Sequence, residues 1–139
     1  PRDWSSDVCS SDLGGSIAGL AAGIALVGAP WRLVGVSVSR PPTEVAATID
    51  EIARGAAALL EGPPPAPVEI VDAREADRAT DLAAARALRD ACGVLLDPVY
   101  GVRALPVAAE LAREQDVVLW ITGGSPSAIE LATLSGEPA

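Results

Sequence analysis

From residue 14 onward, short apolar runs alternate with longer amphipathic ones. Residues 33–39 alternate strictly, so that three valines share one face of a strand while Leu33, Gly35 and Ser37 share the other. Both faces are fairly apolar, which is typical of a parallel sheet covered on both sides. We therefore expect an α/β domain with an open, mostly parallel sheet and helices on both faces.

The same patterning sets the expected element boundaries. Helices are predicted at residues 16–27, 43–60, 82–92 and 103–114, and strands at residues 33–39, 68–71 and 117–121. A short apolar element is predicted at residues 94–96, and the polar residues 72–81 are expected to be the least ordered internal segment. The stripe predicted to be buried on the second helix is Val45, Ile49, Ile52, Ala56 and Leu59.

A glycine-rich stretch, Gly14-Gly15-Ser16, opens the first predicted helix. Glycines let the backbone approach an anion closely, and the first N–H groups of a helix have no partner inside it. Ser16 can cap the helix with its oxygen or donate its hydroxyl to a phosphate. By itself the stretch fits a capped and tightly packed core helix better than an anion site.

Residues 1–13 differ from the rest of the chain. They are rich in Ser and Asp and show neither a helical nor a strand period, as in a disordered tail. Residues 3–13 also resemble a translated sequencing adapter fused to a truncated reading frame. We therefore expect a non-native tail over residues 1–13, including Cys9, and an authentic segment that begins near Gly14.

Composition and charge narrow the possible chemistry. The formal net charge of -9 argues against nucleic acid or an anionic membrane as a partner, and no apolar run is long enough for a membrane span. The chain contains neither His nor Lys, which excludes a His-based triad, a His-ligated metal and a lysine Schiff base within these residues. We expect Cys92 to be a small buried core residue and Arg40 to be a solvated charge.

Four segments resemble one enzyme family when they are taken in order. They are GGSIAGL at 14–20, VGVSVSR at 34–40, LLDPVY at 95–100 and TGGSP at 122–126. Together they resemble the group of D-cysteine desulfhydrase and 1-aminocyclopropane-1-carboxylate (ACC) deaminase, which are pyridoxal-phosphate enzymes with the tryptophan-synthase-β-like fold. The resemblance implies that residues 14–139 are part of the cofactor-binding domain of a cytoplasmic, homodimeric enzyme whose substrate is a small amino acid.

The resemblance also implies roles for individual residues. Gly14, Gly15 and Ser16 match the end of the loop that binds the cofactor phosphate. Tyr100 matches an active-site tyrosine that contacts the substrate or transfers a proton. Thr122 matches a hydroxyl residue near the pyridine nitrogen, where a neutral group leaves that nitrogen largely unprotonated and favours elimination.

The sequence departs from the family in three places. Gly101-Val102-Arg103 follows the tyrosine where relatives usually have Thr-Gly-Lys or Glu-Gly-Lys, which argues against a true cyclopropane deaminase. Residues 72–81 lack the usual tyrosine- and glycine-rich stretch. The lysine that holds the cofactor covalently lies upstream of the phosphate loop in this family, so we expect this chain to be an inactive fragment of an active parent.

The sequence is also compatible with two alternatives. The glycine-rich turn and Arg40 could belong to a Rossmann-like domain that binds NADP, although Ser16 breaks the G-x-G-x-x-G spacing. The chain could also be a degenerate family member without catalysis, as the altered residues after Tyr100 suggest.

Overall fold

A computed structural model describes residues 6–10 and 14–122 of the chain. The elements in chain order are β1 (Ser6–Ser10), α1 (Gly15–Val27), β2 (Arg32–Ser37), α2 (Pro42–Leu59), β3 (Val68–Asp72), α3 (Arg78–Cys92), α4 (Gly101–Leu111) and β4 (Val117–Trp120). The four strands form one parallel sheet in the order β3-β2-β1-β4. The predicted α/β class is confirmed.

Helices cover both faces of this sheet, and the alternation in β2 explains why. Leu33 is fully buried in a cluster with α1 and α2, which includes Ile17 and Ile49. Val34 and Val36 point the other way, into a cluster that contains Ala104 and Ala108 of α4. α3 packs on α4 rather than directly on the sheet.

β1 is the main departure from the predicted organisation. Ser6–Ser10 pairs in parallel with β2 on one side and with β4 on the other. Ser6 lies opposite Arg32 in β2 and opposite Val117 in β4. The lack of a strand period was a poor guide here, because sheet pairing uses the main-chain N–H and C=O groups that every residue except proline carries. The adapter-like origin of residues 1–13 stays a prediction.

The stripe predicted to be buried on α2 is confirmed at Val45 and Ile49 and is wrong farther along the helix. Its buried residues share a spacing of four: Val45, Ile49, Ala53 and Ala57. Ile52 and Leu59 are instead exposed, and Leu59 retains 88% of its accessible surface. The heaviest packing of α2 is against α1, and a single i±4 ridge is what one helix presents to another.

The second half of the chain is more ordered, and its strands are less buried, than predicted. α3 begins at Arg78, so part of segment 72–81, which was expected to be the least ordered internal segment, is helical. Residues 94–96 form no strand, and Cys92 is exposed, with its Sγ 3.0 Å from the Leu88 carbonyl oxygen. β4 is an edge strand of the described sheet and leaves Trp120 48% exposed.

Across residues 6–10 and 14–122, no helix combines the length and the apolar character that a membrane span requires. In the same residues, no cluster of three or more His, Cys, Asp or Glu side chains is arranged to hold a metal ion.

Candidate active site

The carboxyl ends of the parallel strands define one edge of the sheet. Gly14 and the start of α1 follow β1 at this edge, the residues leading to α3 follow β3, and Thr122 follows β4. β1 lies between β2 and β4, so the start of α1 and the end of β4 belong to neighbouring strands. In α/β sheets this edge is where ligands bind.

Gly14 sets the shape of the chain immediately before α1. Its φ is +72°, in the left-handed region that favours glycine, and the residue is buried. A Cβ at this position would lie 2.8 Å from Ile49 Cγ1. Glycine is therefore required at position 14 for two reasons: the left-handed backbone conformation and the close packing against α2.

The first turn of α1 is open to an anion. Ala18 N–H donates to the Gly14 carbonyl oxygen at 3.0 Å, so the N–H groups of Gly15, Ser16 and Ile17 have no acceptor within the helix. Within the described residues, no side chain caps this helix, and its first turn contains no acidic residue. Ser16 is exposed in the first turn and does not act as the cap, contrary to one of the two roles predicted for it.

α4 begins in a very different way. The Asp97 carboxylate accepts backbone hydrogen bonds from Val99 (3.0 Å), Tyr100 (2.7 Å) and Gly101 (2.6 Å). A Cβ on Gly101 would lie 2.8 Å from Asp97 Oδ2, so glycine allows this carboxylate to come close. Asp97 thereby fixes the main chain of Tyr100, which is half-buried at the start of the helix.

Thr122 lies beside this turn. A small cavity of about 10 Å³ is lined by Asp97, Gly101 and Thr122, together with Trp120 and Ile121 at the end of β4. The exposed Thr122 is thus placed next to the residue that follows Tyr100. The remaining residues of the TGGSP motif, 123–126, lie outside the described part of the chain.

The predicted site residues therefore occupy one edge of the sheet in two places. Gly14, Gly15 and Ser16 form the start of α1, and Tyr100 and Thr122 flank the start of α4. Their roles toward a cofactor remain predictions, which the geometry permits.

A buried ion pair that was not predicted from the sequence lies near this site. Asp81 is only 4% exposed, and its Oδ2 lies 3.1 Å from Arg103 Nε. Asp77 caps α3 by accepting from Ala79 N–H at 3.1 Å, and Thr80 donates to its other oxygen. An Asp followed three and four residues later by Thr80 and Asp81 is a helix-start signal that could have placed α3 correctly.

Two carboxylates near the end of β3 have depressed pKa values. The Arg74 side chain and its N–H both donate to Asp72, and these hydrogen bonds lower the pKa of Asp72 to about 2. The hydrogen bond from Thr80, followed by that from Ala79 N–H, lowers the pKa of Asp77. Both groups are therefore negatively charged at neutral pH.

Comparison with known proteins identifies relatives of this arrangement. The chain is 34% identical over 135 residues to D-cysteine desulfhydrase of Serratia proteamaculans strain 568, spanning 89% of this chain and 41% of that protein. It superposes on a crystal structure described as an ACC deaminase homologue with a TM-score of 0.83 and 25% identity, covering 96% of this chain and 43% of that one. No protein-family profile matches the chain.

The predicted family resemblance is confirmed. The sequence comparison gives a D-cysteine desulfhydrase and the structural comparison gives an ACC deaminase homologue, and the predicted group consists of these two kinds of enzyme. The chain spans less than half the length of the relatives it matches.

Proposed function

We propose that the chain is part of a pyridoxal-phosphate-dependent lyase similar to D-cysteine desulfhydrase. The reaction would be an α,β-elimination that releases pyruvate, ammonia and sulfide from a cysteine-like amino acid and water. The observation that carries the proposal is the uncapped start of α1, with Gly14 buried and the N–H groups of the first turn directed to the carboxyl edge.

The start of α1 fits the phosphate of this cofactor. Three N–H groups without helical acceptors and the positive end of the helix dipole favour a phosphate. A Cβ on Gly15 would meet no atom within 4 Å, and Ser16 is exposed, so its hydroxyl is accessible for donation to a phosphate oxygen. The absence of an acid from the first turn of α1, which is fully described, removes a source of repulsion.

The other residues would act on the ring and the substrate. When bound, pyridoxal phosphate supplies an electron sink for negative charge at Cα of an amino acid. The Tyr100 hydroxyl would contact the substrate or transfer a proton. The hydrogen bond from the Tyr100 backbone N–H to the Asp97 carboxylate would hold the residue in place. The Thr122 hydroxyl would lie near the ring nitrogen and, being neutral, would leave that nitrogen largely unprotonated.

The 139-residue chain alone should not catalyse the reaction. It contains no lysine, and the covalent attachment of the cofactor requires one. We propose that the catalytic lysine belongs to the remainder of a longer, homodimeric parent, which acts in the cytoplasm. No pyruvate should form when the 139-residue chain is incubated with D-cysteine and the cofactor.

The phosphate assignment is tested by comparing pyridoxal 5'-phosphate with pyridoxal, which lacks the phosphate. Titrations of the chain, followed by tryptophan fluorescence, should show roughly tenfold tighter binding of the phosphorylated compound. The Ser16→Asp variant places a carboxylate in the first turn of α1 and should abolish that preference while leaving pyridoxal binding unchanged. Equal affinity of the unmodified chain for both compounds would contradict the proposal.

The same titration separates the alternatives. Enhanced fluorescence of bound NADPH without pyridoxal-phosphate binding would favour a Rossmann-like domain. The structure provides little support for that reading, because Arg40 is half-buried and donates from Nη2 to Thr48 Oγ1 at 3.1 Å instead of being the predicted solvated charge. Binding of neither compound would favour a degenerate member without catalysis.

A further inference from the structure

A buried ion pair connects three parts of the molecule beside the candidate site. Asp81 lies in the first turn of α3 and its side chain is 5% exposed, while the side chain of Arg103 in α4 is 17% exposed. Arg103 Nη1 also donates to the Ala73 carbonyl oxygen at 2.6 Å, directly after β3. One guanidinium therefore joins α4 to α3 and to the carboxyl end of β3.

The pair is held by charge more than by a well-directed hydrogen bond. Arg103 Nε is 3.1 Å from Asp81 Oδ2, yet this oxygen accepts no hydrogen bond of good geometry from any described residue. A buried carboxylate in that position depends on the neighbouring cation, because removal of one partner leaves an uncompensated charge. We therefore expect the two residues to be strongly coupled.

Arg103 is also one helical turn from Tyr100. Its backbone N–H donates to the Tyr100 carbonyl oxygen at 3.1 Å, as does the N–H of Ala104. Two hydrogen bonds thus hold the start of α4. The Tyr100 backbone N–H donates to Asp97, and the Arg103 side chain donates to the Ala73 carbonyl oxygen after β3.

We propose that Asp81 and Arg103 are positioning residues that hold Tyr100 at the carboxyl edge of the sheet. The catalytic importance of that position rests on the proposed function, but the positioning itself does not. Asp81 acts on Tyr100 only through Arg103, so loss of either side chain should loosen the start of α4 to a similar extent.

The test uses the reactivity of Tyr100, which is the only tyrosine in the chain. Nitration by tetranitromethane reports the population in which its ring is accessible and requires neither cofactor nor substrate. In the full chain, Asp81→Asn and Arg103→Gln should each raise the nitration rate roughly tenfold, with little further increase in the double variant. Failure of cofactor binding would leave this result unaffected.

Arg113→Gln is the matched control, because it breaks an exposed ion pair with Glu110 farther along the same segment. Its nitration rate should equal that of the unmodified chain. Folded Asp81→Asn protein with an unchanged nitration rate would overturn the proposal, as would an equal increase in the control.

A second measurement covers the case in which the variants do not fold. In the unmodified chain, hydrogen exchange at low urea should show the amides of Asp81, Arg103 and Ala104 opening as one cooperative unit. Independent opening of α3 and the start of α4 would overturn the proposal.

Discussion

The starts of α1 and α4 lie at the same edge of the sheet. They differ in whether a side chain accepts hydrogen bonds from their backbone N–H groups. At α4, the Asp97 carboxylate accepts from three successive backbone N–H groups. At α1, Gly14 offers no side chain, and no other described residue supplies a cap. A helix start without a side-chain cap or an acid in its first turn is suited to an external anion, which supports the phosphate site proposed at α1.

The largest effect is expected from Gly14→Ala. The substitution imposes a left-handed conformation on a residue with a Cβ and places that Cβ 2.8 Å from Ile49 Cγ1, so it should destabilise the chain by about 3 kcal/mol. Urea unfolding measures the loss. Gly15→Ala is the matched control because its Cβ meets nothing within 4 Å, and it should change stability by about 0.5 kcal/mol or less. Equal effects at both positions would show that Gly14 has no special role.

Removal of the Asp97 carboxylate should convert the closed start of α4 into an open one. Asp97→Ala leaves three N–H groups without their acceptor and should cost about 2 kcal/mol in urea unfolding. Asp97→Asn keeps one neutral acceptor and should cost about half of that. Asp90→Ala removes an exposed ion pair with Arg89 and should cost less than about 0.5 kcal/mol. A loss at Asp97 no larger than at Asp90 would contradict the capping role.

The smallest expected effect is a loss of local stability at low pH, which should be larger at the start of α3 than at the start of α1. Hydrogen bonds lower the pKa values of Asp72 and Asp77 in the folded chain, so their stabilisation is fully present above the unfolded value of 3.8. For Asp72 it is lost as the pH falls from about 4 to about 2. Below pH 4, the protection of the amides at the start of α3, which Asp77 caps, should therefore fall relative to their intrinsic exchange rates. The start of α1, which has no such carboxylate, should lose less protection, and an equal loss at both would refute this account.

Several features were predictable because they depend on local pattern. The alternation in residues 33–39 placed Leu33 and Val34 on opposite faces, as observed, and the helix over residues 16–27 ends before Gly28 as expected. These predictions succeeded because side-chain periodicity and chain reversals follow from backbone geometry. The candidate residues themselves came from a resemblance to known enzymes rather than from periodicity.

Other features depend on distant partners and could not be read locally. Ser6–Ser10 became a strand because β2 and β4 each pair with it through the main chain. The buried stripe of α2 shifted to Ala53 and Ala57 because α1 is its main neighbour. Asp81 is an acid in a polar segment and gave no sign that Arg103, 22 positions away, would neutralise it in the interior.

Local sequence thus decided the class of fold, most helices and the glycine conformation on which the start of α1 depends, because these follow from the 3.6- and 2-residue periods and from the missing Cβ of glycine. Tertiary structure alone decided which acids are buried, which groups accept from the N–H groups at the start of α4, and how that start lies beside Thr122. Those outcomes depend on contacts between residues far apart in the chain, where burial removes water and forces each charge or N–H group to find its partner within the protein or in a ligand.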